Sequence, residues 1–201
     1  KPTMFWLAVS PRAGHCLWMP EGKYRISLFE KALHDRSAFS CGVKPIDNWV
    51  KNSVSDETKA DRLRLWCGTD DAGILFGIYA LNPHSVLPQD GGLLARKKEQ
   101  KPIPVLYLSC LAIDLRFQKK GLGEAMMGHA IEKAVQLSVD FPVAAIVLDV
   151  YRDESFGRRM AFYQRLGFVS FSAEEPSRMY LSIADARKSV EAANAALVAT
   201  K

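Results

Sequence analysis

Leu111-Ala112-Ile113-Asp114-Leu115-Arg116-Phe117-Gln118-Lys119-Lys120-Gly121-Leu122-Gly123 leads from an apolar run, through a short basic turn carrying two glycines, into a long periodic segment. Upstream, Val105–Ile113 is almost continuously apolar, as suits a strand buried on both faces. Downstream, Leu122, Met126, Ala130 and Ala134, with Met127, Ile131 and Val135, recur at the spacing of an amphipathic helix. Gly121 and Gly123 remove side chains where backbone N–H groups must face outward. A helix beginning there aims its unpaired amides and the positive end of its dipole at one point. Such a terminus takes phosphate readily, and Lys119 and Lys120 add full charges. The turn is neither a Walker A loop nor a G-x-G-x-x-G fingerprint. Taken alone, it reads equally as a phosphate cradle or as a strand-to-helix turn with basic decoration.

Working outward, residues 1–22 hold Pro2, Pro11 and Pro20 without a sustained period and read as an irregular arm. Lys23–Phe29 alternates as a first strand, and Lys44–Val54 has helical spacing with Pro45 tolerable in its first turn. Arg64–Cys67 and Ile74–Leu81 read as strands joined by the turn Asp70–Gly73. Pro83–Pro104 reads as a long structureless loop of the functional or disordered kind. Ala144–Val150 is a second buried strand. Ser155 is placed to cap a helix running to about Arg165, and Gly167 sits where a C′ glycine would end it. Phe168–Phe171 and Arg178–Ile183 read as closing strands, and residues 184–201 as a helical tail. The pattern predicts one α/β domain with a mixed sheet over residues 23–183.

Composition narrows the class. At 201 residues, 48% hydrophobic and 24% charged, the chain is neither collagen-like, low-complexity nor disordered. No apolar run approaches a membrane span. The net charge of +5 falls entirely between Arg96 and Lys120, where seven basic residues face only Glu99 and Asp114. Cys16, Cys41, Cys67 and Cys110 are scattered and form no C-x-x-C, and the four histidines show no zinc spacing. Met4–Val9 is too short for the apolar region of a signal peptide. These features predict reduced thiols in a cytoplasm, no metal and no membrane.

The order of the pieces decides between the two readings of the turn. Gln118-x-x-Gly121-x-Gly123 resembles the Q/R-x-x-G-x-G/A pyrophosphate loop of the GNAT acetyltransferase family. After the helix and the strand Ala144–Val150, Phe162-Tyr163-Gln164-Arg165-Leu166-Gly167-Phe168 resembles that family's F-Y-x-x-x-G-F signature. His34-Asp35-Arg36-Ser37-Ala38-Phe39-Ser40-Cys41-Gly42, followed by Ile46-Asp47-Asn48-Trp49-Val50, is similar to the opening of the toxin acetyltransferases of bacterial toxin–antitoxin pairs. Where many of those read R-L-A-V-D, this chain has Cys110-Leu111-Ala112-Ile113-Asp114.

The resemblance implies a mixed central sheet with splayed parallel strands and flanking helices. It implies acetyl-CoA as co-substrate, transfer to the α-amine of aminoacyl-tRNA with a block of translation, a homodimer, and a ribbon-helix-helix antitoxin. Alternatives within the fold are acetylation of a small amine or protein amine; outside catalysis, a CoA-binding regulator. The implied cofactor contacts are Leu111, Ala112 and Ile113 along the strand, and Gln118, Lys119, Lys120, Gly121, Leu122 and Gly123 at the turn. The N–H of Ile113 would polarise the thioester carbonyl. Tyr163 would protonate the departing thiolate, since a phenol with a pKa of roughly 10 holds its proton at neutral pH. With the turn's lysines occupied by CoA phosphates, Arg96, Lys97, Lys98 and Lys101 are left for RNA. His34, Asp35 and Arg36 read as a structural turn. No strong general base stands out, and an α-amine titrating near roughly 7.7–8.0 needs none.

Overall fold

Alternating and continuous apolar runs become strands here, and the 3.6-period segments become the helices beside them. A computed structural model describes residues 24–198; the expected arm over residues 1–22 lies outside them. The strands are β1 (Tyr24–Leu28), β2 (Arg64–Asp70), β3 (Leu75–Val86), β4 (Ile103–Ile113), β5 (Ala145–Asp149), β6 (Val169–Ser170) and β7 (Arg178–Ser182). The helices are α1 (Lys44–Asn52), α2 (Val54–Lys59), α3 (Leu122–Asp140), α4 (Phe156–Arg165) and α5 (Ile183–Val198). Hydrogen-bonded neighbours run in the order β1-β2-β3-β4-β5-β7-β6. The pair β4/β5 is parallel, while β1/β2, β2/β3, β5/β7 and β6/β7 are antiparallel. This is the mixed α/β sheet that the alternation predicts.

The parallel register comprises two pairs, Leu106↔Ile146 and Tyr107↔Val147, and stops there although both strands continue. That is the splay the resemblance leads one to expect.

Two expectations need correction. The helix expected over 44–54 breaks at Ser53, whose amide bonds to the Trp49 carbonyl, and α2 starts at once with Val54. Val50 and Val54 are both fully buried, so the break keeps both on the core. Pro83–Pro104 is not structureless. β3 runs on through Pro83 to Val86, and two short 3₁₀ turns follow at Pro88–Asp90 and Gly92–Leu94. The β2/β3 register ends at Arg64↔Leu81, so on that side the proline leaves no ladder bond unmade. Val86, Leu94, Ala95 and Ile103 then bury apolar surface against Val105 and Val147, which orders the segment.

The chain divides into two compact units with interleaved segments. The first takes residues up to Leu81, Cys110–Glu132 and the chain from Ser189. Its core gathers Phe39, Val50, Val54, Leu65, Ile78, Cys110 and Ala112. Cys110 is therefore a core residue. The second unit takes Asn82–Ser109 and Lys133–Lys188, with a core of Val86, Ile103, Val105, Ala145, Val147 and Tyr180. The tail expected from Ala184 is helix α5, which starts directly from β7. Ser182 Oγ accepts from the Asp185 amide and donates to its carboxylate, capping the helix, and Ala186 is fully buried.

Candidate functional site

In the first unit, the segment after β4 is held from below. Asp114, about 1% exposed, accepts from the amide of Arg116 and from its guanidinium at 2.8 and 3.0 Å. It also accepts from the amide of Ser40 at 3.1 Å. Burial alone would push this carboxyl up, but the hydrogen bonds from Arg116 and Ser40 outweigh it and hold the group below the usual carboxylate range. The Leu115 amide donates to the Ser40 carbonyl at 2.8 Å. Gln118 Nε2 donates to the carbonyls of Ile113 at 2.9 Å and Cys41 at 3.1 Å. The Gln118 side chain thus spans the turn from behind instead of pointing out of it.

Ser40 and Cys41 are themselves anchored. Asp47 accepts from Ser40 Oγ at 2.8 Å and from the Cys41 amide at 2.7 Å. Arg36 donates to the Val50 carbonyl at 2.7 Å and lies over the Phe29 ring. The buried His34 has its Nδ1 2.9 Å from the Glu30 amide and its Nε2 3.2 Å from Ser27 Oγ. Asp35 accepts from the amide and hydroxyl of Ser37. The His34–Asp47 stretch is thus a bonded plate whose edge, Ser40–Cys41, grips Ile113–Gln118. Reading the sequence for chemistry misses this brace. Its signal was the aspartate at 47, seven residues after Ser40, and the aspartate closing an otherwise apolar run at 114.

So held, the turn presents backbone. Lys119 and Gly121 both have positive φ, +61° and +77°. The Gly121 carbonyl accepts from the amides of Glu124 and Ala125, which starts α3. Leu122 and Gly123 N–H therefore have no acceptor one turn back. A Cβ built on Gly121 meets nothing within 4 Å, so the space beside this residue, next to the helix start, is open. Lys119 and Lys120 are exposed; Lys120 Nζ donates to the Arg116 carbonyl and lies 5.3 Å from the Phe117 ring centre. Open backbone donors at a helix start beside two ammonium groups fit an anionic diphosphate.

Tyr163 stands in the second unit, on α4. Here the helix ends in a Schellman motif: Phe168 N–H bonds to the Tyr163 carbonyl and Gly167 N–H to the Gln164 carbonyl. Gly167, at φ +90°, takes the left-handed position that glycine adopts without strain. The Tyr163 ring packs edge-on against Phe162 and Phe168, centroids 5.1 and 5.8 Å away. The spacing of Phe162-Tyr163-x-x-x-Gly167-Phe168 is thus the spacing of a helix stop. Asp153, in the turn before α4, is ion-paired with Arg159, whose guanidinium holds its carboxyl below the usual range. Arg96, Lys97, Lys98 and Lys101 are all exposed in the second unit. Among the described residues no group of His, Cys, Asp and Glu could hold a metal ion, and no helix is long and apolar enough to cross a membrane.

Residues 45–168 match the profile of the Acetyltransferase (GNAT) family. A protein of Sinorhizobium fredii described as a probable toxin TacT is 33% identical over 162 residues, covering 77% of this chain and 88% of that protein. A tRNA-acetylating toxin of Mycobacterium tuberculosis is 30% identical over 153 residues, covering 76% and 89%. Among solved structures, AtaT complexed with acetyl-methionyl-tRNAfMet superposes with a TM-score of 0.69 at 20% identity, over 84% of this chain and 98% of that one. A single-residue mutant of the AtaT toxin has also been solved bound to the C-terminus of the antitoxin AtaR and acetyl-CoA, with a TM-score of 0.69 at 18% identity over 82% and 96%.

Proposed function

The chain belongs to the GNAT acetyltransferase family, and from that premise we propose that it moves the acetyl group of acetyl-CoA onto the α-amine of aminoacyl-tRNA, as the toxin of a toxin–antitoxin pair. The observation carrying this reading is the 30% identity with a tRNA-acetylating toxin, which extends over 76% of the chain. In this reading the protein is a homodimer in the cytoplasm, neutralised by a ribbon-helix-helix antitoxin.

Each residue then has a task. The Leu122 and Gly123 amides and the Lys119 and Lys120 ammonium groups hold the diphosphate, and Gln118, bonded to Ile113 and Cys41, keeps the turn in shape. The backbone of Leu111, Ala112 and Ile113 aligns the pantetheine arm, and the Ile113 N–H polarises the thioester carbonyl. The neutral α-amine attacks the carbonyl carbon: the C–N bond forms, the C–S bond breaks, and the electron pair leaves on sulfur. Tyr163 gives its hydroxyl proton to that sulfur, and the proton shed by the new amide nitrogen returns to solvent, from which Tyr163 is reprotonated. Arg96, Lys97, Lys98 and Lys101 meet RNA phosphates.

Incubation with radiolabelled acetyl-CoA and a mixture of charged tRNAs tests the reading. Nuclease digestion should release the label as N-acetyl-aminoacyl-adenosine. Label found on protein alone, or none on RNA, would sink it.

A further inference from the structure

The pairing of β4 with β5 ends at Tyr107↔Val147, and a side-chain bond crosses just beyond that point. Tyr107 Oη donates to Asp149 Oδ2 at 2.9 Å. The other oxygen, Oδ1, is ion-paired with Arg178 Nε at 3.8 Å, beyond hydrogen-bond distance, and that buried Nε has no hydrogen-bond partner. The ring of His84 flanks Tyr107, 5.5 Å between centroids. Asp149 ends the apolar strand Ala145-Ile146-Val147-Leu148, and its side chain is 46% exposed. Aspartate is depleted in strands. A tyrosine hydroxyl at this surface could be satisfied by water, so packing does not demand the pair either. Burial, with the Asp149 hydrogen bond adding to it, pushes the Tyr107 phenol up to about 12. Its proton is therefore always available to hold Asp149.

We propose that Asp149, oriented by Tyr107 and backed by Arg178, anchors the α-amine of the acceptor. This rests on the aminoacyl-tRNA reading and names the group that recognises the amine. An exposed carboxylate with one oxygen already bonded is an acceptor for N–H donors and repels phosphate. Every aminoacyl-tRNA presents an α-amino group, an N–H donor both as the ammonium and as the neutral amine. The carboxyl end of a parallel strand where its neighbour parts from it is also where open α/β sheets bind ligands. Helix α4, which carries Tyr163, follows β5 within the same compact unit. Asp149 touches the substrate; Tyr107 acts through Asp149 and is a positioning residue.

Asp149→Asn preserves shape while removing the charge. Loss of one charge-assisted hydrogen bond should raise KM for charged tRNA about tenfold, with the acetyl-CoA Kd unchanged. Equilibrium binding should show the variant losing the wild-type preference for charged over deacylated tRNA. Tyr107→Phe should move both readouts the same way by less. An Asp149→Asn protein with wild-type KM and preference overturns the anchor. So do equal losses for charged and deacylated tRNA, or loss of acetyl-CoA binding in both variants, since either marks a structural role. A wild-type protein that binds acetyl-CoA but labels no charged tRNA instead overturns the proposed function, and the anchor falls with it.

Discussion

The structural part that Tyr163 plays can be separated from the chemical one proposed for it. Its carbonyl closes the Schellman motif and its ring packs on Phe168, and both survive replacement by phenylalanine. Tyr163→Phe thus isolates the hydroxyl. Turnover should fall by about 10²–10⁴-fold, the usual worth of a general acid, while the acetyl-CoA Kd from calorimetry stays unchanged. Full turnover in the variant would make Tyr163 a packing residue. Among the described residues the cysteines offer no rival route through an acyl-enzyme. Burial pushes Cys41 up to about 11 and Cys67 and Cys110 to about 12, so the attacking thiolate is scarce at neutral pH.

At the scale of elements, the turn between β4 and α3 depends on Gly121 for its backbone and not for its small size. A side chain there meets no neighbour, so steric exclusion is not the reason for glycine. Its φ of +77° is. Gly121→Ala should cost about 1 kcal/mol of stability through the left-handed backbone alone. Gly121→Asp carries the same strain and adds a carboxylate beside the helix-start amides. Titration should therefore show acetyl-CoA bound at least tenfold more weakly by the aspartate variant than by the alanine variant. Equal affinities would remove the turn as the diphosphate site. The comparison is clean because both variants keep the Asp114–Ser40 and Gln118–Cys41 bonds behind the turn.

For the whole molecule, the question is what the basic excess is for. Transfer RNA is a polyanion, and the proposed diphosphate turn would take only Lys119 and Lys120 of the seven basic residues between Arg96 and Lys120. Arg116 is committed to Asp114. Arg96, Lys97, Lys98 and Lys101 remain, exposed. Neutralising these four should raise KM for charged tRNA and leave acetyl-CoA affinity nearly unchanged. Added salt should weaken the wild type more steeply than the variant, by about 0.7–0.9 in log–log slope for each phosphate the variant no longer neutralises. Identical slopes would make this a solvated face.

The local grammar was legible in the chain by itself. Apolar period and glycine placement announced β4, α3, β5 and the stop of α4, because these depend on burial patterns and backbone conformations that neighbouring residues dictate. The glycines and lysines of the turn were legible for the same reason, as was the helix-stop spacing around Tyr163. Pro83–Pro104 misled because proline counts as a breaker only where an amide is needed, and β3 passes Pro83 after its register with β2 has ended. The brace of Ser40, Cys41, Asp47, Asp114 and Gln118 joins residues up to 77 positions apart. The Tyr107–Asp149 bond joins residues 42 apart. No period or spacing encodes such pairings; they exist only once the strands have taken their order and register in the sheet.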